Sequence, residues 1–163
     1  MVNVIFNKSE YEILEKQGGL YIDTDFLFYK NIEPLLNREC LVCQEKSNWD
    51  KIGVTNAILG FPPNHFLMYY LIRKIPEKLI HFKELSKTLT QHEIGLRNIG
   101  PYFLENCIKE IYPDLPILSH KYFYPMTIWE MQYKQLETFP EAYAAHLWNF
   151  NCGIDRVSVH KTL

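Results

Sequence analysis

The stretch Gly18-Gly19-Leu20-Tyr21-Ile22-Asp23-Thr24-Asp25 constrains this chain more than any other. Upstream of it, Ser9-x-x-Glu12 has the form of a capping box and predicts a helix opening at Ser9, with Tyr11, Ile13 and Leu14 as its apolar positions. Two glycines in a row end that helix, because glycine accepts the left-handed backbone that closes helices. Leu20-Tyr21-Ile22 then reads as a short buried strand, and two aspartates follow at once. A capped helix, a sharp reversal, a strand and an acidic turn in direct succession predict a mixed α/β fold.

The spacing of the aspartates matters. In an extended backbone, residues i and i+2 point the same way, so Asp23 and Asp25 face one spot just past the strand end. Open α/β sheets place their ligands there. Two like charges held together repel unless a cation neutralises them. Hard oxygen ligands suit Mg²⁺ or Mn²⁺, which usually take substrate phosphate oxygens as well. A solvated Asp-Thr-Asp turn is the bland reading of the same residues.

The rest of the chain supports the mixed class. Phe26 to Tyr29, Leu41-Val42 and Val54 to Leu59 read as strands, the last with Asn56 embedded in it. Burying an amide is costly unless it is hydrogen-bonded, so Asn56 is either a structural cap or a pocket residue. Residues 2–6 offer at most one short strand. Phe66 to Ile75 has helical length and stops at Pro76, residues 77–98 read as helical in pieces, and Ile99-Gly100-Pro101 opens another helix. Residues 112–125 are loop and strand punctuated by prolines, and Tyr143 to Asn149 alternates as a strand does.

Composition removes several classes. A length of 163 residues fits one domain, 1–163. A net charge of −2 argues against a protein that coats nucleic acid. Tyr 11, Phe 10 and Trp 3 make the chain too ring-rich for disorder or a coiled coil. No apolar run is long enough for a membrane span, and Met1 to Glu10 does not read as a secretory signal. Cys40 and Cys43 form a CxxC, but a zinc site wants a second close pair, and Cys107 and Cys152 stand apart. They read as reduced structural thiols, and the chain reads as cytoplasmic.

Gly18 to Phe26 (GGLYIDTDF) resembles the GG-x-Y-x-D-x-D segment of glycosyltransferases with a DXD sugar-binding region. That group includes initiating α-1,6-mannosyltransferases, α-1,4-galactosyl- and N-acetylglucosaminyltransferases, and the glucosylating domains of clostridial toxins. Further blocks follow in the same order: Asn56 to Gly60 (NAILG), Ile99-Gly100-Pro101 with Ile where the family has Thr, Phe123-Tyr124-Pro125, and Ala145 to Asn149 (AHLWN). The resemblance implies a GT-A, Rossmann-like fold. It also implies a UDP- or GDP-sugar donor, a glycan or other hydroxyl acceptor, Mn²⁺ or Mg²⁺ as cofactor, and retention of anomeric configuration. By the same resemblance Asp23 and Asp25 are the catalytic pair and, with His146, the metal ligands. Tyr21 contacts the nucleotide, Asn56 the sugar, and Trp148 meets the leaving diphosphate or walls the site.

Two departures temper this. Where relatives carry S-D-x-x-R in the preceding helix, the corresponding places here fall on Asn7 and Glu10, and a carboxylate facing a diphosphate is repulsive. Relatives also place a nucleotide-binding β/α half before this helix, and the chain is expected to be short of much of it. An inactive relative that binds carbohydrate or protein is therefore the alternative to an enzyme. A phosphatase of the haloacid-dehalogenase type also ends a strand in DxD, but it usually follows with a small residue and Thr or Val, where Phe26-Leu27 stand here.

Overall fold

The computed structural model describes residues 2–46, 52–80, 99–127, 130 and 139–148, with the backbone alone for 2–7 and 79. In chain order the elements are α1 (Val2–Gln17), β1 (Gly19–Ile22), β2 (Phe26–Phe28), α2 (Glu33–Leu36), β3 (Leu41–Lys46), β4 (Ile52–Phe61), α3 (Phe66–Ile80), α4 (Pro101–Ile111), a 3₁₀ turn (His120–Tyr122) and β5 (Ala144–His146). The mixed α/β class expected from the sequence is what forms.

β4 organises the molecule. It is the central strand of a three-stranded sheet, with β1 on one side and β3 on the other. Both pairings are antiparallel, Tyr21 opposite Leu59 and Val42 opposite that same residue. Beyond β3 the chain returns at Leu118, which makes a parallel bridge to Cys43. β2 and β5 form a separate antiparallel ribbon, with Phe26 opposite His146.

Two apolar clusters hold these layers. In the first, Tyr11 and Leu14 of α1 pack with Leu67, Met68, Leu71 and Ile75 of α3, Phe103 and Leu104 of α4, and Leu59 of β4. Tyr11 is fully buried, and its hydroxyl donates to the Ile99 carbonyl at 3.1 Å, which removes the cost of burying it. The second cluster joins Leu41, Cys43, Ile58, Leu118, Phe123, Tyr124 and Ala144, with Phe26 and Trp148 packed against it.

Several sequence expectations shift. The helix predicted to open at Ser9 begins at Val2, so 2–6 is helical rather than a strand. Nothing in Val2 to Lys8 breaks a helix, and the Lys8–Glu12 ion pair, 3.1 Å at spacing i,i+4, spans the expected start. α3 runs on through Pro76 to Ile80. An interior proline costs about 3 kcal/mol, and here packing on α1 and α4 outweighs it. β3 extends to Lys46, β4 from Ile52 to Phe61, and β5 shrinks to three residues. Residues 81–98, Cys152 and Asn149 lie outside the described residues. Cys40, Cys43 and Cys107 are free and buried, as structural thiols are.

Candidate functional site

The backbone brings Asp23 and Asp25 to one place by a route the sequence did not show. They lie on a tight turn between β1 and β2 rather than on extended chain. The Asp23 N–H donates to the Ala57 carbonyl at 2.8 Å, which ties the turn to β4. The Asp25 carbonyl accepts the Leu147 N–H at 2.8 Å, which ties it to the end of β5. With Phe26 opposite His146, that register sets the imidazole beside the turn. A slip of one residue would send His146 to the other face of the ribbon.

The result is a cluster of three. His146 Nε2 lies 3.0 Å from Asp25 Oδ1 and 3.9 Å from Asp23 Oδ2. One ligand atom from each residue falls within 4.8 Å of the others. His146 is 8% exposed, and neither ring nitrogen makes a hydrogen bond. The buried Nδ1 without a partner normally carries a cost. Nε2 faces both carboxylates, so the three groups could hold a divalent cation with two oxygens and one nitrogen.

The other expected residues divide. Tyr21 donates its hydroxyl to Asp23 Oδ1 at 2.5 Å, so within the fold it orients that carboxylate. Burial and the two neighbouring carboxylates push its own pKa far up. Trp148 stands edge-on to His146, with ring centroids 4.9 Å apart, and walls the site. Asn56 lies half-buried in β4, next to the Ala57 whose carbonyl receives Asp23. Glu10 also reaches this corner. It shares Tyr21 with Asp23, and its carboxyl is pushed up to about 7, mostly by burial, with the Asp23 charge adding to the rise. The repulsion expected from Glu10 is thus reduced near neutral pH by protonation. The Asn7 side chain lies outside what is described.

Sequence reasoning missed the residues around His146. Glu45 at the end of β3 lies near His146 and pairs with Thr55 of β4 and with Trp148. Tyr124 is buried, 5.4 Å from His146 between ring centroids, and its hydroxyl lies 2.8 Å from Thr55 Oγ1. Phe123-Tyr124-Pro125 stands out in the sequence, but nothing local to it points to a role. Glu45 gave no signal, because Gln44-Glu45-Lys46 resembles the start of a polar loop.

Comparison with known proteins bears on this geometry. The chain is 24% identical over 139 residues to inositol phosphoceramide mannosyltransferase 3 of Schizosaccharomyces pombe, covering 85% of this chain and 36% of that protein. It is 26% identical over 158 residues to human alpha-1,4-N-acetylglucosaminyltransferase, covering 91% of this chain and 43% of that one. The chain is thus similar in sequence to two glycosyltransferases. It spans less than half the length of either. No protein-family model matches it. Among solved structures, PaToxG glycosyltransferase aligns with a TM-score of 0.47 at 13% identity, over 69% of this chain and 36% of that one.

Proposed function

We propose that this chain carries the metal and sugar-nucleotide site of a retaining, GT-A-type hexosyltransferase. It would move a hexose from a UDP- or GDP-sugar to a hydroxyl of a glycan. The observation that carries the reading is the convergence of Asp23, Asp25 and His146 Nε2 at the end of β1. Kinship with a mannosyltransferase and an N-acetylglucosaminyltransferase supports sugar transfer.

Asp25 and His146 form the closest pair and would be the principal ligands, with Asp23 completing the set. A divalent ion bound there would supply Lewis-acid stabilisation to a departing nucleoside diphosphate. Tyr21, donating to Asp23, holds that carboxylate in one rotamer and leaves its second oxygen toward the cluster. Trp148, Tyr124 and Phe26 pack around His146 and keep water from its ring, which strengthens every charge interaction in front of it. Asn56 would reach the sugar from β4. Donor carbohydrate and acceptor would sit on the solvent side of the aspartates, where Asp23 stays partly exposed.

Titration calorimetry tests this. The wild-type protein should bind Mn²⁺, and UDP or GDP more tightly in its presence. Asp25→Ala should abolish both heats. Equal binding by the two proteins, or none by the wild type, sinks the reading. The alternative of a non-catalytic carbohydrate-binding relative predicts glycan binding that ignores both Mn²⁺ and Asp25.

A further inference from the structure

His146 raises a question about orientation. A ligand histidine is usually aimed by a hydrogen bond from its other ring nitrogen to a carboxylate or carbonyl. Here Nδ1 is buried with no such partner. The ring is held by three others instead: Phe26 at 4.7 Å, Tyr124 at 5.4 Å and Trp148 at 4.9 Å between centroids. Phe26 belongs to the facing strand, and Tyr124 is fixed in the core. Trp148 is different. It follows the last strand with a backbone φ of 46°, in the left-handed region that a bulky residue occupies only under constraint.

Glu45, half-buried near the end of β3, is the side chain that holds it: the carboxylate pairs with the Trp148 indole N–H and the Thr55 hydroxyl, with His146 close by. Thr55 Oγ1 in turn pairs with the Tyr124 hydroxyl at 2.8 Å. An indole can only donate. All four groups are satisfied when Tyr124 donates to Thr55, and Thr55 and Trp148 both donate to Glu45. Even a half-buried carboxylate carries a desolvation cost. Here it gives a fixed position to a strained tryptophan and, through it, to an imidazole whose Nδ1 has no hydrogen bond.

We propose that Glu45 is a positioning residue: by anchoring the Trp148 indole, it fixes the ring wall that aims His146 Nε2 at Asp25, and so sets the affinity for a divalent cation from outside the ligand cluster. This rests on the metal reading above.

The test uses Mn²⁺ as probe and has two readouts. Calorimetry gives Mn²⁺ affinity in the native background. Fluorescence is read in a Trp49→Phe/Trp129→Phe background, where Trp148 is the last of the three tryptophans. Glu45→Ala should weaken Mn²⁺ binding about tenfold, the low end of what outer-shell partners contribute, and should red-shift Trp148 emission. Glu45→Gln, whose amide oxygen accepts the same N–H, should restore most of the affinity and leave emission unshifted. Trp148→Phe should lose about as much affinity as Glu45→Ala, and adding Glu45→Ala to it should cost less than about twofold more, the non-additivity of residues acting through one another.

Unchanged affinity and emission in Glu45→Ala overturns the proposal. So does Glu45→Gln binding as weakly as Glu45→Ala, which would make the charge the agent, and so does strict additivity with Trp148→Phe. Should Glu45→Ala not fold, a retained affinity in Glu45→Gln beside a tenfold loss in Trp148→Phe supports the proposal, and any other pairing overturns it. A wild-type protein that binds no Mn²⁺ overturns the metal reading and this proposal with it, whereas normal wild-type binding with silent variants overturns this proposal alone.

Discussion

At the Gly19 end of β1 lies a cavity of about 340 Å³, walled by Leu20, Leu35, Leu41 and Phe61, with Arg38 and Glu39 on its lining. At the other end, after Ile22, three titratable side chains close to within 4.8 Å of one another. Volume and chemistry therefore sit at opposite ends of one short strand. The apolar cavity brings no convergent set of polar groups. The acidic end brings two carboxylates, an orphaned imidazole nitrogen and a tyrosine that orients one of the acids. Space alone is a weak pointer to a site; groups whose geometry makes sense only around a ligand are a stronger one.

The sharpest way to break this contrast is to disturb the glycine that launches the strand. Gly18 has φ 65° and donates its N–H to the Leu14 carbonyl at 2.9 Å, closing α1. A Cβ there would sit 2.6 Å from the Pro63 ring. Gly18→Val combines a forbidden backbone with a collision and should cost about 3 kcal/mol or more. Urea unfolding followed by circular dichroism measures this. A loss under about 1 kcal/mol would mean that the turn is not what fixes β1.

The next effect separates the two ends. His146→Gln removes one of three proposed ligands and should weaken Mn²⁺ binding by at least the roughly 10–100-fold that losing an outer-shell partner costs, or at least about 1.4–2.8 kcal/mol. Arg38→Ala, in the cavity at the glycine end, should leave it within about twofold, as distant independent sites do. Calorimetry on both proteins decides. A larger loss in Arg38→Ala than in His146→Gln would place the cation at the wrong end of the strand.

Much of this site was legible in the sequence, and the reasons differ residue by residue. Gly18-Gly19 and the apolar run after them are local signals, and local rules fixed the helix end and β1. Asp23 and Asp25 were rightly paired, although the backbone between them turns rather than extends. His146 entered through resemblance, since nothing local says that a histidine near residue 146 will pair across from Phe26. Glu45 was invisible, because its partners Thr55, Trp148 and His146 come from other elements. The start of α1 was misplaced for a related reason. A capping box is only a propensity, and a helix continues upstream when nothing stops it.

The smallest effect concerns Glu10, the residue that seemed most hostile to a diphosphate. Burial, reinforced by the Asp23 charge, lifts its carboxyl from the ordinary 4.5 to about 7, while its hydrogen bond with Tyr21 works against the rise. A group whose folded value is raised holds its proton in the native state over a range where the unfolded chain has released it. Its contribution to stability is therefore fully present below about pH 4.5 and declines as pH rises through about 7. Glu10→Gln keeps the shape and removes the ionisation. The variant should match the wild type near pH 4.5 and be more stable at pH 8. The gain should be about 1–2 kcal/mol, well under the full linkage value because the side chain is partly exposed to solvent. Thermal melts across pH 4.5–8 read the difference. At pH 8 the same substitution should also weaken Mn²⁺ binding modestly, because one fewer anion then faces the cation. A loss of stability at pH 8 that lessens as pH falls would reverse the sign and show that Glu10 is ionised and paired in the folded protein, the role an acidic residue at the donor-binding corner would have if a basic group faced it.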